Sequence, residues 1–225
     1  MTETQVLPRS SFRTRLILWA VLGAVVASAI AYVCLPRHAD LTSFDPAAMA
    51  RRESLMWRHY YQKRYFALFR DLYDMSRQQY HFSPLDSLRI AYQAASAARA
   101  FQPSTTRAEA EAALPALRSY FRILANGARH PVDVEDTART ELAWWQARRE
   151  AATPEQYGAI LARVATLLYG VDNEDVRRAG LLRAQAMQYR DAHAADMTRP
   201  DWAAVRSQLL SAYAALKKGV SAPTS

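Results

Sequence analysis

Few residues in this chain have the type and spacing that catalysis or metal binding requires. The five histidines have neither a second histidine nor a glutamate three or four residues away, the spacing that places two metal ligands on one helical face. They are His38, His59, His81, His130 and His193. The single cysteine, Cys34, lies inside an apolar segment and leaves the rest of the chain without a thiol nucleophile. We therefore expect no metal site and no metal cofactor.

The chain also lacks the short motifs of common enzymes. Neither a Gly-x-Ser-x-Gly nucleophile elbow nor a glycine-rich phosphate loop occurs in it. No catalytic residue and no cofactor can be nominated from spacing, so we expect a protein that is not an enzyme. The alternative is an enzyme whose catalytic residues come together from distant parts of the sequence.

The segment from Met56 to Phe82 is rich in aromatic and basic side chains and is the first candidate for a binding surface. At 100° per residue its apolar side chains, among them Tyr65 and Phe69, fall on one broad helical face, and most of its cations fall on the other. A surface that stacks bases needs aromatics and cations together. We therefore interpret the segment as a core-facing helix and expect no nucleic acid partner.

A second cluster places Glu141, Trp144 and Arg148 on one helical row and Trp145 on the next. Adjacent tryptophans cannot both point straight into one core, so we expect one of them at a helix junction or a partner-facing surface, with arginine stacked on it. Arg58 lies within the apolar arc of the first segment, where it needs an acidic partner or a route to solvent. Arg58, Trp144, Trp145 and Arg148 form the predicted interaction surface.

The composition indicates a helical fold for the elements that carry these residues. The 225 residues are 51% hydrophobic and include only six glycines, too few for a turn-rich β protein. The net charge of +8 is spread over segments of mixed sign, which is typical of a solvated surface.

Helix signals divide the chain after residue 45 into about seven helices. Asp45, Ser83, Asp133 and Thr153 have the residue type and position of N-caps, and a run without glycine or proline predicts one helix over residues 46–80. Pro115 should break or kink the third helix near Leu114. Short connections predict an all-α bundle or stacked hairpins over residues 46–220.

Residues 16–35 are twenty residues without a charge, long enough to cross a bilayer. We expect a single transmembrane helix there, with residues 1–15 as a short tail, 36–45 as a linker and 221–225 as a disordered C-terminus. A cleaved signal peptide is the alternative, because small residues at 27–31 resemble cleavage sites.

Basic residues before the span predict a cytoplasmic N-terminus and a periplasmic or extracytoplasmic domain in a bacterial-type inner membrane. The small residues Gly23, Ala27 and Ala31 recur every fourth position and predict a possible homodimer contact.

Taken together, these patterns predict a membrane-anchored helical protein that binds another protein of the same envelope, as an interaction or scaffold domain. The alternative is a domain that binds a small molecule or lipid in an aromatic-lined cavity. A cavity in the core would favour the second hypothesis, and an exposed apolar groove between helices would favour the first.

We predict that the chain stays in the membrane after an alkaline carbonate wash, because residues 16–35 hold it there. Fractionation followed by N-terminal sequencing of the mature protein checks this. A soluble protein that begins near Ile30 or Tyr32 would show that the segment is a signal peptide instead.

Overall fold

The computed structural model describes residues 12–35 and 37–221, and every regular element within those ranges is helical. The all-α prediction is therefore confirmed for this part of the chain. Most of the predicted N-terminal tail, residue 36 of the linker and residues 222–225 of the predicted C-terminal tail lie outside the described residues.

The first helix, α1, spans Phe12–Cys34. Its segment Thr14–Cys34 is long and apolar enough to cross a membrane, and none of its most apolar window is buried against the rest of the protein. A signal sequence has the same properties. The small-residue face at Gly23 has open space around it, so the homodimer contact stays a prediction.

Within residues 37–221, nine further helices follow, two more than predicted, and one of them is a single turn. They are α2 (Pro46–Tyr61), α3 (Tyr65–Gln79), α4 (Pro84–Phe101), α5 (Arg107–Ala110), α6 (Leu114–Leu124), α7 (Val134–Arg149), α8 (Pro154–Tyr169), α9 (Glu174–Ala192) and α10 (Arg199–Ser221). The two extra helices arise because two predicted helices are each divided.

The predicted helix over residues 46–80 is wrong as one helix, because the chain turns between α2 and α3, with Lys63 at a positive φ of 57°. A helix of that length would extend about 52 Å, more than the ~40 Å across a compact domain of this size. The turn instead lets α3 pack back on α2, where Asp71 and His59 lie 2.6 Å apart. Tyr65 and Phe66, predicted to face the core, are exposed by 54% and 85% because they begin α3 outside that contact.

The four predicted N-caps and the predicted break near Leu114 are confirmed. Asp45, Ser83, Asp133 and Thr153 each accept a hydrogen bond from the backbone N–H three residues later. The third predicted helix is interrupted before Leu114 by a short 3-10 turn, as its proline predicted.

The eight long helices after α1 form a closed ring. Each packs against the next long helix along the chain, from α2 through α3, α4 and α6 to α10, and α10 packs back against α2. The short α5 bridges α4 and α7. The predicted stacked hairpins are therefore joined end to end around a centre that all eight long helices face.

The helices α8 and α9 approach each other closely because glycines lie where they cross. A Cβ atom at Gly180 would lie 2.7 Å from the backbone nitrogen of Ala162 and closer still to the carbonyl oxygen of Gly158. Backbone atoms cannot move aside as a flexible side chain can, so this part of the ring tolerates only glycine at position 180.

We predict that Gly180→Ala lowers the free energy of unfolding by about 1–3 kcal/mol, the usual effect of overpacking. The same exchange inside an uncrowded helix would instead stabilise it by about 0.5–1 kcal/mol. Urea unfolding followed by circular dichroism checks the sign, and Gln185→Ala at an exposed position of α9 is the control. A stabilised Gly180→Ala variant would contradict the close crossing.

Candidate functional site

The ring encloses a cavity of about 430 Å³, a volume typical of sites for small molecules. Most of its lining is apolar, and much of that is aromatic. The aromatic lining residues are Trp57, Tyr60, Tyr61, Tyr80, Phe101, Tyr120, Phe121, Trp144, Trp145, Tyr169 and Tyr213. The aromatic segment around α2 and α3 thus supplies cavity wall as well as core.

Four tyrosines face the cavity rather than bulk solvent. Protein surrounds Tyr80, Tyr120, Tyr169 and Tyr213, yet each keeps part of its surface accessible. Burial raises the pKa of all four hydroxyls above the ordinary value. These groups therefore stay protonated near neutral pH and can donate hydrogen bonds into the cavity or the wall.

In one ion pair of the cavity wall, between Arg183 and Glu53, the two charged groups are hydrogen-bonded to each other. Arg183 on α9 donates from Nε and Nη2 to Oε1 of Glu53 on α2, at 2.8 and 2.6 Å. The hydroxyl of Tyr213 on α10 donates to the other oxygen at 2.7 Å. Burial lowers the pKa of Arg183, but the carboxylate of Glu53 raises it more, so the arginine stays charged and compensates Glu53.

A second carboxylate in the cavity has no such partner. Oε1 of Glu141 accepts one hydrogen bond, from Nε1 of Trp145 at 2.9 Å. Within residues 12–35 and 37–221, no cationic nitrogen forms an ion pair with Glu141. Burial raises its pKa above the usual value, and the more distant Arg183 only partly offsets this.

The adjacent tryptophans both line the cavity and pack against the same core cluster, and they differ in how far they are buried. Trp144 is 8% exposed, and Arg183 lies over its ring at 5.5 Å from the centroid. Trp145 is partly buried and packs edge-on against Phe101 at 5.2 Å. Nε1 of Trp144 is buried and has no well-aligned hydrogen-bond partner among the described residues, but it lies near Glu141 and partly offsets the effect of burial on the pKa of that carboxyl.

The most exposed of the lining residues is Tyr60, at 37%, near the C-terminal end of α2. Beside it, Arg148 on α7 donates to both carboxylate oxygens of Asp191 and, at 2.6 Å, to the hydroxyl of Tyr61. Arg190 donates to the same Asp191 and stacks over the ring of Tyr61. Two arginines therefore share one aspartate at this end, which we call the mouth of the cavity.

Three of the four predicted interaction residues come together on this cavity: Trp144, Trp145 and Arg148 all line it. Arg58 does not line the cavity and is exposed instead. Its guanidinium group therefore reaches solvent, which is one of the two outcomes expected from the sequence.

Glu141 was not among the predicted site residues, although its spacing from Trp144 and Arg148 on one face of α7 is visible in the sequence. Glu53 and Arg183 were not predicted either, because they lie 130 residues apart and no local sequence pattern marks them.

We predict that Glu141→Gln stabilises the fold at pH 8, because burial raises the pKa of Glu141 and the substitution removes a carboxylate that folding disfavours in its charged form. A carboxyl whose pKa is raised by folding favours the folded state below its unfolded pKa and loses that advantage as pH rises through the folded pKa. The gain should vanish as pH falls below 4.5, the ordinary value.

Urea unfolding between pH 4 and pH 8 tests the effect of Glu141→Gln. The control is Glu111→Gln, an exposed glutamate outside the cavity. A gain of equal size at both ends of the range would show that a different effect of the substitution is being measured.

Comparison of the chain with models of protein families, with curated proteins and with solved structures finds no match. No role can therefore be carried over from a relative. The function has to be inferred from the cavity and from the residues that line it.

Proposed function

We propose that this protein is a membrane-anchored binding domain that holds a small, mainly apolar molecule in the cavity of its helical ring. The observation that carries the proposal is the cavity itself: about 430 Å³, surrounded by eight helices and lined mostly by aromatic and aliphatic side chains. From the sequence, a cavity in the core was the feature expected to favour the binding of a small molecule over the binding of a protein. The cavity therefore supports the small-molecule hypothesis.

The composition of the wall fits this role. Apolar walls supply most of the binding free energy of small molecules, while a few convergent polar groups fix their orientation. Here those groups are Glu141, the indole N–H of Trp144 and the arginines at the mouth. The tyrosines and tryptophans offer large rigid surfaces, which favours ligands that contain rings or short chains.

The interaction hypothesis keeps one specific observation in its favour. Tyr65 and Phe66 are exposed beside the basic residues Lys63 and Arg64 at the turn between α2 and α3. Aromatic side chains and arginine are enriched at protein interfaces, whereas lysine is depleted, so Tyr65, Phe66 and Arg64 carry this observation. A second protein of the envelope, if one binds this domain, would contact this turn.

We predict that the full-length protein in lipid nanodiscs binds the neutral apolar dye Nile red above the background of empty nanodiscs. Ala98→Phe places a ring in the cavity, where Ala98 lines the wall, and should weaken binding at least about tenfold, because the ring occupies volume that the dye needs. Dye fluorescence and the dissociation constant derived from it provide the measurement.

The control is the same exchange at Ala214, an exposed position on α10 outside the cavity wall. Ala214→Phe should bind the dye like the wild type. Equal binding by both variants would place the dye somewhere other than the cavity and would contradict the proposal. In a separate experiment, organic extraction of the purified protein, followed by mass spectrometry, would identify the molecule that the natural protein holds.

A further inference from the structure

We propose that the molecule held in the cavity carries a protonated amine, which Glu141 binds among the surrounding aromatic rings. This inference rests on the proposed function and names the chemical class of its ligand. Its basis is a charge imbalance in the inner part of the cavity, together with the residues around the carboxylate that is left over.

The inner cavity contains one more carboxylate than it has cations to compensate. Glu53 is buried, Glu141 is surrounded by protein but keeps part of its surface accessible where it lines the cavity, and Arg183 is the cation between them. Arg183 directs two of its N–H groups to Oε1 of Glu53 and makes no ion pair with Glu141. A buried carboxylate is stable only with a partner charge or a proton, so this position favours a positively charged ligand group.

The groups that face Glu141 from other helices do not compensate it. They are Glu53 on α2, Tyr120 on α6 and Arg183 on α9. Tyr120 is neutral near pH 7, since burial raises the pKa of its hydroxyl. The sum of the charges is therefore −1, from two glutamates and one arginine, and the missing positive charge must come from a proton or from a ligand.

Aromatic rings beside Glu141 strengthen the preference for an organic cation. Trp145 donates to one carboxylate oxygen, and the ring of Trp144 lies 6.2 Å from that of Trp145 in a T-shaped arrangement. Trp57 and Tyr120 line the same cavity. The faces of such rings attract ammonium groups, most strongly where water is excluded.

The mouth has the opposite charge, which fixes the direction of the ligand. Arg148 and Arg190 share the single carboxylate of Asp191, a net charge of +1 for the three groups. Arg148 lies two helical turns beyond Glu141 on the same face of α7, about 10 Å along the helix axis. An amine is therefore repelled at the mouth and attracted about 10 Å further in, with the rest of the ligand toward the mouth.

Three ligands that share one ring system test this proposal: naphthylethylamine, naphthylethanol and naphthylacetate. We expect the wild-type full-length protein in nanodiscs to bind the amine about tenfold more tightly than the alcohol at pH 7.5, as one charge-assisted hydrogen bond provides, and to bind the acid least. Calorimetric titration measures the three dissociation constants, with empty nanodiscs as the blank.

Glu141→Gln keeps the shape of the side chain and an oxygen that can accept from Trp145, and it should reduce the preference for amine over alcohol to about one. Glu111→Gln should keep the preference unchanged. The melting curve of each variant shows whether it is folded.

The results separate this inference from the proposed function. Equal binding of all three ligands, or an amine preference that survives Glu141→Gln, would overturn the role of Glu141 and leave the cavity as a binding site. Tightest binding of the acid would assign recognition to the arginines of the mouth instead. Binding of none of the three would count against both the inference and the proposed function.

Discussion

The carboxylate of Glu53 is the contact on which the closed ring depends. It joins α2, the first helix of the ring, to Arg183 on α9 and Tyr213 on α10, across 130 and 160 residues of sequence. Both oxygens of this buried carboxylate accept hydrogen bonds, so the removal of Arg183 would leave its charge without compensation inside the protein, and the removal of Tyr213 would leave one oxygen without its donor. The first and last helices of the ring are therefore joined by electrostatics as well as by apolar packing.

The size of the ring explains why its interior is so rich in aromatic residues. Helices pack with their axes about 8–10 Å apart, so a circular ring of eight would be about 24 Å across between opposite axes and would leave about 19 Å between the backbones of opposite helices. Leucine and valine are too short to fill such a space from the walls. Tyrosine and tryptophan reach further inward, and what they leave unfilled is the cavity.

Local sequence signals predicted most helix ends, and they failed where distant contacts decide the structure. Caps such as Asp45 and Thr153 act on backbone groups three residues away, so the sequence alone reveals them. The break after Tyr61 has no glycine or proline to announce it. The break follows from the packing of α3 on α2. This contact between two helices cannot be predicted from the apolar pattern of one continuous helix.

The residues of the candidate site also fall into two groups, those that local sequence spacing predicts and those that depend on distant contacts. Trp144, Trp145 and Arg148 lie on one face of one helix, and their spacing was sufficient to group them. The charge pair of Glu53 and Arg183 becomes visible only when the ring closes, since neither residue has a distinctive neighbour in sequence. For that reason the imbalance at Glu141 could not be inferred before the structure.

The position of the mouth determines from which side a molecule can reach the interior. Leu41, in the linker that follows α1, and Tyr60, near the C-terminal end of α2, both line the cavity, and the fourteen residues of α2 between them extend about 21 Å. With α1 embedded in a bilayer, as we propose, and α2 directed away from it, the opening beside Tyr60 would face the aqueous compartment. A molecule dissolved among the lipid chains would first have to leave the bilayer, whereas one dissolved in the surrounding water would find the opening directly.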